Sequence, residues 1–135
     1  MIRKIDHIAI ASKDIDDVQG FFNRLLGIEI GERETVDDQK IRTDVYSLGE
    51  SNIEIMEPTA DESPISKFLE KRGEGIHHIC FAVDDIEQML TELKSSGIEL
   101  IDEKPRIGAG GKRIAFLHPK STHGVLIELS ESAEE

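Results

Sequence analysis

The chain carries one pattern twice. Ile5-Asp6-His7-Ile8-Ala9-Ile10-Ala11, followed by Asp14-Ile15, is echoed by Ile76-His77-His78-Ile79-Cys80-Phe81-Ala82, followed by Asp85-Ile86. Gly27-Ile28-Glu29 recurs as Gly97-Ile98-Glu99, and Ile53-Glu54-Ile55 recurs as Ile127-Glu128-Leu129. Each half therefore supplies one histidine and one glutamate at matching points. If the halves pair about a pseudo-two-fold axis, four side chains converge on one point, and imidazole with carboxylate is a donor mixture that suits first-row divalent metals. The repeat by itself predicts a metal-binding protein built from a duplicated unit.

Length sets the scale of that unit. At 135 residues the chain is one domain's worth, and half of it is too short to be expected to stand alone. A net charge of -12 disfavours nucleic acid and anionic membrane surfaces as partners, since either would require a basic patch. The N-terminus runs directly into an alternating pattern, and no apolar stretch approaches the roughly 20 residues of a membrane span. The expected location is cytoplasmic. Cys80 is the single cysteine and lies within an apolar strand, so a buried structural thiol is expected there.

Hydrophobic period gives the order of elements. Residues 3–11 alternate as a strand, and Asp14 is placed to cap a helix whose apolar positions are Ile15, Val18, Phe22 and Leu25. Gly27 ends it, and strands are expected at 28–34, 41–48 and 52–57. The segment 58–74 is a connector with a short helix at Pro64 to Arg72, proline suiting a first helical turn. The second module opens with a strand at 76–83. Asp85 and Gln88 form a capping-box-like start to a helix with the stripe Ile86, Met89, Leu90 and Leu93. Strands are expected at 98–103, 112–118 and 124–130, then a polar, frayed tail from Ser132 to Glu135. The fold class is α+β: two tandem βαβββ modules, 1–57 and 75–131, within a single domain 1–135, forming an open half-barrel sheet around a metal site.

Strand parity distinguishes a site from a core. His7 shares a face with Ile5, Ala9 and Ala11, and His78 with Ile76, Cys80 and Ala82, while bulkier residues point the other way. The bulky side is expected to pack the helices, leaving the histidine side as a cavity floor. Glu54 and Glu128 each alternate with two aliphatics, and a carboxylate on an inward sheet face costs several kcal/mol unless a cation relieves it. A lone histidine on a strand is commonly a hydrogen-bonded core residue and a lone glutamate commonly faces water. Recurrence of both on a small-residue face in each half sets these four apart. His77 falls on the opposite face. His118 and His123 flank a loop, where substrate contact and a structural role both stay open.

These residues bring the chain to a known group. Asp6-His7-Ile8-Ala9-Ile10-Ala11, Gly75-Ile76-His77-His78-Ile79-Cys80 with Val83-Asp84-Asp85-Ile86, and the run from Pro105 to Ser121 ending Gly124 to Leu129 together resemble the vicinal oxygen chelate superfamily, and within it the methylmalonyl-CoA epimerase family. The resemblance covers nearly the whole length. It implies a divalent metal, most often cobalt with manganese, nickel or zinc as alternatives, held by His7, Glu54, His78 and Glu128, usually in a homodimer. In some members glutamine stands at the position of Glu54, so the extra charge here could shift metal preference. One departure concerns proton transfer: some members carry a glutamate on the second strand of the first module, where this chain has Thr43 with Asp44 beside it.

The implied substrate is an acyl-CoA with a thioester and a carboxylate on one carbon. Removal of the proton between them gives an enolate that a cation stabilises, with Glu128 expected as combined ligand and acid/base. Gly111, Lys112, Arg113, Lys120 and Ser121 offer amides and cations suited to phosphate and carboxylate, although glycines between strands are also ordinary turn chemistry. Two rivals share the pattern: a glyoxalase I-type lyase acting on a glutathione hemithioacetal, and a protein that binds a small molecule without turnover.

Overall fold

The computed structural model describes residues 1–133, so the last two positions of the predicted tail lie outside the described residues. Elements follow in the order β1 (Ile2–Ala11), α1 (Ile15–Arg24), β2 (Glu32–Val36), β3 (Ile41–Leu48), β4 (Ser51–Pro58), α2 (Pro64–Arg72), β5 (Gly75–Val83), α3 (Ile86–Ser95), β6 (Arg106–Ile107), β7 (Arg113–Leu117) and β8 (Ile127–Glu131). The class is α+β, as the repeat predicted. By packing, the chain forms two compact units that divide β1 and β5: Ile8–His77 is one, and Met1–His7 with the chain from His78 onward is the other. The first residues of the chain thus fold with the second repeat.

In the unit Ile8–His77, β2, β3 and β4 form an antiparallel meander, with Thr43 opposite Glu34 and Met56, and Val45 opposite Glu32 and Glu54. At Gly31 an added Cβ would lie 3.1 Å from the Val45 carbonyl oxygen, a tight contact that favours glycine there. Helix α1 lies over Ile15, Tyr46 and Ile55 with Ile10, Val18 and Phe22 around them. On the opposite face α2 covers Ala9, Ala11 and Met56 through Ile65, Phe68 and Leu69. That corrects one expectation: the small-residue face beyond His7 is not open cavity floor, because the connector helix fills the space that two alanines leave.

In the other unit β5 runs parallel to β8, and β8 is antiparallel to β7. Helix α3 packs Ile86 and Leu90 against Val83, Ala115, Leu117 and Leu129. The strand expected at 98–103 is reduced to a single bridge, Leu100 to Leu117, and β6 forms later. The cause is local: the Asp102 carboxylate accepts the Phe116 N–H at 2.8 Å, taking a place that a strand carbonyl would fill.

The duplication extends to a pair of residues whose role the sequence did not disclose. Glu57 and Glu131 each stand three places after the glutamates singled out above. Glu57 accepts the N–H of Ile15 at 2.7 Å, and Glu131 accepts the N–H of Ile86 at 2.8 Å. Both carboxylates thereby satisfy an orphan amide at a helix start and oppose its positive dipole end. Asp14 and Asp85 add the caps that were expected, accepting from Asp16 and Asp17 and from Gln88.

Tyr46, the only tyrosine, is fully buried, its ring centroid 5.0 Å from that of Phe22, and its hydroxyl meets no hydrogen-bonding geometry among the described residues. Burial, with the charge of Asp44, raises its pKa. An unfolded phenol ionises near 10, so the stability tied to this group is intact below about pH 10 and falls as pH rises toward the higher folded value. Spectrophotometric titration should show no phenolate until well above the ordinary range, and Tyr46→Phe should remove that alkaline dependence. A phenol titrating normally in the folded protein would contradict this burial.

Candidate metal centre

Parity on three strands builds the site. Cys80 on β5 and Phe116 on β7 both stand opposite Glu128 on β8, so the three side chains share a face, and Ile127 and Leu129 turn the other way. His78 lies two residues before Cys80 and so joins that face. His7 comes from the end of the segment that β1 contributes to this unit. His7, His78 and Glu128 are buried, at 8%, 6% and 7% exposure. His7 Nε2 lies 3.2 Å from His78 Nε2. Glu128 Oε1 lies 3.3 Å from His7 Nε2 and 3.0 Å from His78 Nε2. The Phe116 ring stands edge-on to His78, with centroids 5.4 Å apart, walling one side.

This geometry meets the demands of a divalent ion. Ligand atoms each about 2.1 Å from a common ion, at tetrahedral or octahedral angles, are separated by about 3.0 to 3.4 Å. The three contacts fall in that interval, and the donor set is the nitrogen and oxygen mixture that first-row ions favour. Burial alone would raise the pKa of Glu128, but the His7 and His78 imidazoles that face it overcome this and hold the carboxyl at about 2. The carboxylate is ionised at neutral pH, as a ligand must be.

Asp6, His7 and Cys80 form an adjoining cluster. His7 Nδ1 lies 2.8 Å from Asp6 Oδ2, and Lys112 Nζ lies 3.0 Å from Asp6 Oδ1. The His7 hydrogen bond, working against burial and aided by Lys112, holds the Asp6 carboxyl at about 2. Burial, with the charge of Glu128, pushes the Cys80 thiol far up, so it remains protonated and is the poorer ligand. Asp6 escaped the sequence reading because neighbours on a strand point to opposite faces, whereas this short side chain turns back to the ring beside it.

The other sequence-derived residues are placed as follows. Glu54 lies half-buried on β4 in the unit Ile8–His77. Thr43 is buried, and Asp44 is fully buried on the other face of β3, held by Arg33 through Nε at 2.6 Å and Nη2 at 2.9 Å. Asp44 is therefore committed to Arg33 and unsuited to proton transfer. Gly111 belongs to an exposed turn, and Arg113 pairs with Glu87 and, at 3.8 Å, with Glu131. Lys120 is exposed, and Ser121 Oγ accepts the Glu99 N–H at 2.8 Å. His118 caps the turn Pro119–Ser121, accepting the Lys120 N–H at 3.0 Å, which gives it the structural role. His77 packs edge-on against Phe68, with centroids 4.9 Å apart.

Comparison with known proteins gives the family. The family model for the Glyoxalase/Bleomycin resistance protein/Dioxygenase superfamily matches residues 6–116, and the chain belongs to that superfamily. Its relatives include epimerases: it is 39% identical to the mitochondrial methylmalonyl-CoA epimerase of Dictyostelium discoideum over 96% of this chain and 79% of that one. It is 38% identical to the ethylmalonyl-CoA/methylmalonyl-CoA epimerase of Cereibacter sphaeroides, over 97% of this chain and 99% of that protein. Among solved structures, a variant of Streptomyces coelicolor methylmalonyl-CoA epimerase in complex with 2-nitronate-propionyl-CoA matches with a TM-score of 0.91 at 36% identity, covering 99% and 97% of the two chains. No helix among the described residues is long and apolar enough to cross a membrane.

Proposed function

We propose that the chain is a methylmalonyl-CoA epimerase, an isomerase that inverts the carbon between the thioester and the carboxylate of its substrate. The buried triad of His7, His78 and Glu128 carries the reading, since three ligating atoms at ion-coordinating separations have little use in a plain core. These three would hold a divalent ion, with Glu54 as the proposed fourth ligand. Bound there, the ion supplies positive charge that stabilises negative charge developing on the thioester oxygen.

The chain's own residues do the rest. Phe116 and Cys80 flank the triad with surface that cannot itself be ionised at neutral pH, excluding water from the reacting carbon. The contacts of Glu128 to the imidazoles use Oε1, and the proposal assigns the transferred proton to Oε2. With Asp44 committed to Arg33, Glu128 is the carboxylate to which proton transfer is given. Coenzyme A is assigned to Gly111, Lys112, Arg113, Lys120 and Ser121, with exposed Lys120 the cation best placed to meet a phosphate. Cobalt as the ion, a homodimer and a cytoplasmic location complete the proposal.

Solvent deuterium tests the reaction. Methylmalonyl-CoA incubated in heavy water with cobalt-loaded protein should acquire deuterium at the substrate carbon far faster than without protein. Tight binding without exchange would favour a sequestering protein, and turnover of a glutathione hemithioacetal would favour the lyase.

A further inference from the structure

We propose that Asp6 fixes the tautomer of His7, and that the glycine-rich turn before β7 delivers Lys112 to hold that carboxylate in place. The inference rests on the metal-centre reading above. A carboxylate can only accept, so the 2.8 Å contact requires His7 Nδ1 to carry a hydrogen, which in the neutral ring leaves the lone pair on Nε2. Nε2 is the atom aimed at His78 and Glu128, so the tautomer that Asp6 selects is the one able to ligate. Lys112, donating to the other oxygen of Asp6 at 3.0 Å, decides which way that carboxylate faces.

The turn supplies the aim. Gly110 and Gly111 have φ of 72° and 77°, left-handed values that a residue with a side chain adopts at a cost. The Gly108 N–H donates to the Lys112 carbonyl at 2.7 Å, closing the turn. A Cβ on Gly108 would lie 2.7 Å from Ile114 Cδ1, so the turn is also pressed against β7. Lys112 leaves this closed turn half-buried and reaches a residue 106 positions earlier in the chain. The duplication does not repeat the device: the residue before His78 is His77, which packs on Phe68.

The test exploits the donor-only chemistry of lysine. In Asp6→Asn the amide oxygen must turn to Lys112, so the NH2 group faces His7 Nδ1 and drives the hydrogen to Nε2. Co2+ affinity of the metal-free protein, measured by calorimetry, should fall roughly 10- to 100-fold. Lys112→Met alone should change it much less. In the double variant D6N/K112M the amide is free to present its oxygen to His7, so most of the lost affinity should return. A role in stability alone predicts the reverse, two substitutions being worse than one.

Nitrogen-15 spectra of the imidazoles at about pH 8, above the ordinary histidine range, read the tautomer directly without metal. The wild type should show His7 protonated on Nδ1, and D6N on Nε2. Wild-type His7 protonated on Nε2, an undiminished Co2+ affinity in D6N, or a double variant no better than D6N would each overturn the proposal. Failure of the wild type to bind Co2+ would instead overturn the metal-centre reading, leaving the tautomer result to stand or fall by itself.

Discussion

Glu128→Gln protein should retain its fold, lose Co2+ affinity by more than roughly a hundredfold, and lose turnover by roughly 10²- to 10⁴-fold even when saturated with the ion. The amide keeps the shape of the side chain but removes the charge that two imidazoles face at 3.0 and 3.3 Å, and removes the group assigned to the proton. The same variant should alter acid stability. In the metal-free wild type the Glu128 pKa is depressed from 4.5 to about 2. Its contribution is therefore complete above about pH 4.5 and lost as pH falls toward 2, on the order of 3 kcal/mol for a group so buried. Urea unfolding across that window should show a flatter profile for the glutamine variant. Metal content and turnover equal to wild type would remove Glu128 from both roles.

Arg33→Met should destabilise the protein by about 3 kcal/mol, among the largest effects available outside the apolar core. Asp44 has no exposed side-chain surface, and Arg33 clamps both its oxygens while also pairing with Asp16 at 2.8 Å. Removing the guanidinium leaves a buried carboxylate uncompensated. Arg33→Met with Asp44→Leu should recover most of the loss, because a buried ion pair is worth little more than the apolar pair that replaces it. Denaturant unfolding at neutral pH measures both. A loss below about 1 kcal/mol in the single variant would mean that water reaches Asp44 and takes over from Arg33.

Much of this architecture was legible in the chain because period-2 alternation is a backbone property. It put His7, His78 and Glu128 on small-residue faces before any contact was known, and the repeat explains why the helix-start contacts of Glu57 and Glu131 come as a pair. What alternation cannot convey is where a side chain bends back along its own strand, as Asp6 does, or which loop reaches a distant residue, as the Lys112 turn does. Nor could it foresee that the connector helix would cover Ala9 and Ala11, since that depends on how Ile65 and Phe68 find space. The strand expected at 98–103 failed for a similar reason. Asp102 competes for a backbone amide, and hydrophobic spacing does not register that competition.

With no tryptophan and one tyrosine, the protein's intrinsic fluorescence arises from a single ring sealed in the unit that holds none of His7, His78 and Glu128. Emission will therefore follow unfolding of that core and be a poor reporter of ion uptake. The visible d–d bands of cobalt itself are the better optical window on the centre, and a tryptophan introduced at Phe116 would make a second.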